Sequence, residues 1–147
     1  MIRRLLRYLP IILFCGSLPV PAVGIGDSDT IGVGALIYGW TCLKSPVGWP
    51  WLANPLFVFT LFLFFHRKSI WRRTAVYTSG AALLLALGFL LVHKMPGEKA
   101  DPMVWTLTRE VGYWVWLGSM AALVVAAMLN YSDKPANLRG NTNQKPG

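Results

Sequence analysis

Charge is scarce in this chain of 147 residues: 14% of positions are Asp, Glu, Lys or Arg, against about 25% in an ordinary soluble domain. Acids are the scarcest, six against 14 basic residues. A content this low excludes a disordered polyelectrolyte and disfavours a water-soluble enzyme. Two cysteines, Cys15 and Cys42, are too few for a disulfide scaffold. No His-Glu-x-x-His, Cys-x-x-Cys, Gly-x-Ser-x-Gly or phosphate-loop pattern occurs, so no metal, cofactor or catalytic nucleophile is expected.

What the chain has instead is apolar length. Hydrophobic residues make up 54% of it and the mean hydropathy is +0.47. The net charge of +8 would point to nucleic acid on a soluble surface. Here the basic residues lie between apolar blocks, so the expected partner is membrane lipid and no nucleic acid. A hydrocarbon core of about 30 Å needs about 20 helical residues. Four spans are expected, at about 8–26, 50–66, 74–93 and 111–130, within a membrane domain of residues 1–131. The fold class is then all-α, an integral membrane bundle of four transmembrane helices with a short re-entrant or interfacial helix at about 31–43. The polar tail, 132–147, has no apolar period and is expected to be disordered and cytoplasmic.

The first block opens with Arg3, Arg4 and Arg7, as a secretory signal does. Ala22-Val23-Gly24 offers small residues for cleavage, but Pro10, Pro19 and Pro21 interrupt the apolar run. An uncleaved anchor is the favoured reading. In residues 30–65 the stretch Lys44-Ser45-Pro46-Val47-Gly48-Trp49-Pro50 breaks the helix. Asn54-Pro55 then resembles a cap followed by proline at the first helical position. Asp101-Pro102 repeats that signal, so the last helix is expected to begin near Pro102.

Orientation follows from basic residues, which stay cytoplasmic. One net crossing of residues 30–65 places Arg3, Arg4, Arg7, Arg67, Lys68, Arg72, Arg73, Lys134, Arg139 and Lys145 inside. Two crossings would export the cluster from Arg67 to Arg73, so one is favoured and both termini are cytoplasmic. Trp40, Trp49, Trp51 and Trp105 then lie near the outer interface, where an indole keeps its N–H wet.

Small residues mark helix-packing faces in lipid. Ala75, Ser79, Ala82 and Ala86 form one such row, Gly118, Ala122 and Ala126 a second, and Gly32, Ala35, Gly39 and Cys42 line the short helix. Asn54, Pro55 and Tyr38 are the candidate helix-break site and polar lining, since broken helices expose backbone to solutes in transporters. Arg109 and Glu110 read as an exterior surface pair, and His66 and His93 as interfacial residues at opposite faces.

Trp51-Leu52-Ala53-Asn54-Pro55 and Gly112-Tyr113-Trp114-Val115-Trp116-Leu117-Gly118-Ser119-Met120 resemble segments of a group of small, uncharacterised bacterial polytopic membrane proteins. The resemblance implies a bacterial inner membrane and no activity. The leading expectation is a non-enzymatic accessory or interaction protein, contacting another membrane protein or itself as a homo-oligomer. The alternatives are an oligomeric small-solute transporter or channel, and a toxin-immunity membrane protein.

Overall fold

The computed structural model describes residues 2–25, 28–44, 46–65, 69–92, 94–95 and 105–132. It is mostly helical. Helix α1 (Ile2–Ser17) leads into strands β1 (Pro21–Ile25) and β2 (Ser28–Ile31), then helix α2 (Gly32–Tyr38). Two 3₁₀ helices, Gly39–Lys44 and Pro46–Leu52, precede helix α3 (Ala53–Phe65). Helix α4 (Ser69–Gly88) tightens into a 3₁₀ turn, Phe89–Leu91, before strands β3 (Lys94–Met95) and β4 (Trp105–Arg109) and helix α5 (Val111–Ser132). Two segments of 22 residues each, Ile70–Leu91 and Val111–Ser132, are long and apolar enough to cross a membrane. At 1.5 Å per residue each reaches about 33 Å.

The helical class expected from composition is present, joined by a small sheet that periodicity did not reveal. Its order is β2-β1-β4-β3, antiparallel throughout. Two boundaries change because of it. The first apolar block leaves the helix at Ser17 and is a strand from Pro21. Pro19 and Pro21 remove two N–H donors and push their preceding residues out of the α region. The last helix begins at Val111; before it, Trp105–Arg109 is extended and pairs with β1 at Val23↔Arg109, Gly24↔Thr108 and Ile25↔Leu107. Alternating β-branched Thr106 and Thr108 suit that ladder better than a helix. Asp101, Pro102, the two histidines and the tail 133–147 lie outside the described residues.

Because β1 follows α1 and β4 precedes α5, their pairing sets α1 and α5 side by side and antiparallel. The Glu110 N–H extends the junction by donating to Ala22 O at 3.1 Å. Helix α4 ends beneath the same sheet and α3 begins there. The hydroxyls of Thr60 on α3 and Thr78 on α4 are hydrogen-bonded to each other at 2.8 Å, midway along both helices. At the opposite end Arg72 of α4 reaches Asn130 O of α5 at 3.4 Å.

The core contains small and polar side chains. Ala53, Phe57, Ala82, Ala86, Met120 and Leu123 form one cluster, with Phe14 stacked on Phe57 at 4.6 Å. Thr60, Ser79 and Ser119 are fully buried. Their hydroxyls donate to helix carbonyls one turn back, Leu56 O at 2.7 Å, Val76 O at 2.9 Å and Trp116 O at 2.6 Å, so none is left unsatisfied. The outer surface is the reverse: Val58, Phe62, Ile70, Leu84, Leu91 and Val125 are all more than half exposed.

Of the two small-residue rows, Ala75, Ser79, Ala82 and Ala86 are all buried. The row on α5 behaves differently. Gly118 and Ala122 stay half-buried and only Ala126 is buried. A Cβ on Gly118 would meet nothing within 4 Å, so packing by this row within the chain is confined to Ala126. The buried side of α5 runs instead through Tyr113, Ser119, Met120, Leu123 and Ala127. Tyr113 donates its hydroxyl to Ala86 O at 3.0 Å, a buried link between α5 and α4. Tyr113→Phe is expected to cost about 1 kcal/mol, lowering the melting temperature in detergent by about 3 °C. Tryptophan emission on heating measures it.

Candidate ligand cavity

The cavity sits where α1 ends and α3 and α5 begin, and it is built by a backbone approach. The N–H groups that open α2 have no side-chain cap, Ile31 being the cap residue. They find carbonyls at the end of α1 instead: Gly32 N donates to Val20 O and Val33 N to Leu18 O, both at 2.9 Å. This cross-capping supplies orphan donors of one helix with acceptors beyond another. It brings Gly32 so close to Ser17 O that a Cβ has no room.

The tryptophan-rich connection then folds back over α2. Trp51 Nε1 donates to Leu36 O at 2.8 Å, and its ring lies where a Cβ on Gly39 would stand. Gly48 abuts the Cys42 backbone in the same way. The two 3₁₀ helices therefore approach each other closely, with Gly48 and Pro50 buried at the contact.

Between these elements lies a half-open cavity of ≈ 360 Å³, walled by Phe14, Ala35, Tyr38, Trp51, Asn54 and Trp116 among others. Among the described residues no Asp, Glu, Lys or Arg lines it. Asn54 is buried at 9% exposure and its Oδ1 accepts from Trp116 Nε1 at 2.9 Å. The indole has only a donor to offer, which fixes the orientation of the amide. The Asn54 Nδ2 group is left without a protein partner among the described residues.

The sequence-level candidates separate accordingly. Asn54 and Tyr38 line one cavity, Tyr38 at its mouth with 70% exposure. Pro55 is exposed and faces away from it. Asn54 is not the helix cap: the 3₁₀ helix Pro46–Leu52 runs directly into α3 at Ala53, so no cap position arises at Asn54, and its oxygen is taken across the bundle. Gly32, Ala35, Gly39 and Cys42 all reach the wall. Neither Cys15 nor Cys42 forms a disulfide.

Arg109 is also reassigned. Far from a surface pair with Glu110, its Nη2 donates to Phe89 O at 2.9 Å, Leu90 O at 2.8 Å and Val92 O at 2.8 Å. Its guanidinium lies 5.8 Å from the centre of the Phe89 ring. This cation closes the C-terminal end of α4, where helix carbonyls carry partial negative charge.

Sequence reasoning missed Phe14 and Trp116 as wall residues. An asparagine within an apolar helix signals a need for a partner, but a partner 62 positions away carries no local mark. Among the described residues no group of three or more His, Cys, Asp or Glu is placed to hold a metal ion. Comparison with protein-family models, curated proteins and solved structures finds no match.

Proposed function

We propose that the chain is an integral protein of a bacterial inner membrane, crossed by α1, α3, α4 and α5 with both termini cytoplasmic, acting as a non-enzymatic accessory or interaction protein. The observation that carries this reading is the inverted surface: side chains as large as Phe62, Leu84 and Leu91 point outward while Ala82, Ser79 and Ser119 fill the interior. In water so much exposed apolar area would drive aggregation. In lipid it costs nothing, and close small-residue packing holds the helices together.

The alternation of the four helices agrees with this topology. The 3₁₀ helix Pro46–Leu52 adds about 14 Å to the roughly 20 Å of α3, which brings it to bilayer length. Helix α1 is shorter, about 24 Å, and its apolar part, Tyr8–Ser17, is shorter still, a mismatch met by local thinning and by the arginines of its first two turns. The basic residues at the start of α4 and in the tail then face anionic headgroups.

Phosphatase fusions after Asp29 and Glu98 are expected to be active, and fusions after Arg73 and Ser132 silent. Activity after Arg73 would overturn the topology, and release of the protein by carbonate would overturn membrane insertion. Crosslinking in native membranes tests the functional part. The expected result is enrichment of one partner or of the chain itself; a chain recovered alone counts against an interaction role.

A further inference from the structure

The cavity beneath the sheet is not needed to explain membrane insertion, and its walls are specific about what fits. Of the buried polar side chains on it, Ser17 donates to Phe14 O at 2.7 Å and Tyr113 to Ala86 O at 3.0 Å. The Trp51 and Trp116 indoles are committed to Leu36 O and to Asn54. Asn54 Nδ2 is the donor left over, on a side chain nine-tenths buried that lines the cavity. A donor set in an apolar wall gains free energy when a ligand supplies an acceptor.

We propose that this cavity binds a neutral, carbonyl-bearing lipophile, whose carbonyl oxygen accepts a hydrogen bond from Asn54 Nδ2 while its apolar body lies among the aromatic walls. An anion is disfavoured because no cationic side chain among the described residues lines the space. A ligand offering only donors is disfavoured because the Asn54 oxygen is already occupied. The volume, ≈ 360 Å³, lies at the small end of ligand pockets and suits one slender molecule rather than a two-tailed phospholipid. Two membrane sources share this chemistry, the head of an isoprenoid quinone and the ester of a single-chain glyceride. The inference rests on the cavity alone and holds whichever way the chain faces.

The test is titration of the detergent-purified full chain with decylubiquinone and with a brominated monoacylglycerol, each read as quenching of tryptophan emission. The control is a bromoalkane of the same chain length without a carbonyl. Saturable quenching by at least one carbonyl probe is expected, with the bromoalkane at least tenfold weaker. Preference for the quinone or for the glyceride identifies the source. Asn54→Asp keeps the acceptor for Trp116 and, once ionised, removes the donor; titrated at alkaline pH, it is expected to weaken binding at least tenfold. Ala35→Phe narrows the cavity, leaves Asn54 in place and is expected to abolish saturation. The proposal is overturned if neither carbonyl probe saturates, if the bromoalkane binds as well, or if a folded Asn54→Asp binds like the native chain. Should Asn54→Asp fail to fold, Ala35→Phe and the bromoalkane comparison decide.

Discussion

Gly32→Ala is expected to destabilise the protein by about 3 kcal/mol, a fall of about 10 °C in melting temperature for a chain of this size. The added methyl would strike Ser17 O, which is backbone and has no rotamer through which to retreat. Relieving the clash means withdrawing α2 from the end of α1. That withdrawal breaks the bonds from Gly32 N to Val20 O and from Val33 N to Leu18 O, each worth about 1 kcal/mol. The position needs glycine for space. Gly118→Ala is the control: its surroundings are open, and alanine is favoured over glycine in a helix by about 0.5 to 1 kcal/mol, so no loss is expected. Melting in detergent, followed by tryptophan emission, separates the two. A Gly32→Ala protein as stable as the native one would remove the close approach as an organising feature.

Arg109→Met is expected to cost a similar amount, about 3 kcal/mol, and to act at a different place. One Nη2 serves three carbonyls at 2.8 to 2.9 Å. With two protons to share, those contacts count as about two charge-assisted bonds, each worth about 1.5 to 3 kcal/mol, discounted because the residue is only half-buried. Methionine keeps the apolar stem and removes this donor from the carbonyls of Leu90 and Val92, while Phe89 O keeps the Val92 N–H at 3.1 Å. Lysine is expected to recover only part of the loss, since an ammonium is a point charge and does not stack on Phe89 as a guanidinium does. Hydrogen exchange localises the damage. In Arg109→Met the amides of residues 89–95 exchange faster first, whereas in Gly32→Ala those of residues 18–33 do. Uniform acceleration in both variants would mean that the two contacts belong to one cooperative unit and would overturn the local account.

Legibility in the sequence followed the range of the interactions. The row Ala75, Ser79, Ala82 and Ala86 was readable because helix geometry brings such positions onto one face, and all four are buried. The proline- and glycine-rich stretch expected to break the helix is a 3₁₀ helix, Pro46–Leu52, and the α-helix before it ends earlier than expected, at Tyr38. The strand at Trp105–Arg109 was not readable, since Leu107, Thr108 and Arg109 pair with Ile25, Gly24 and Val23, more than eighty positions earlier, and only Trp105 and Thr106 pair nearby, with Met95 and Lys94. Asn54 stood out as a polar residue near an apolar helix, but a cap reading and a bundle-crossing reading use the same letters. Only the position of Trp116 distinguishes them. Arg109 shows the same limit: as a residue beside Glu110 it looks like a surface charge, and it becomes a helix cap once α4 ends within its reach.

Composition and hydropathy alone determined that this chain is helical and apolar, because transfer energies and backbone propensities are summed residue by residue. The tertiary structure decided which end of the bundle carries a sheet, which glycines tolerate no side chain, and that Asn54 lines a half-open apolar cavity. Those outcomes depend on distances between segments far apart in the chain, and a distance of that kind exists only after folding.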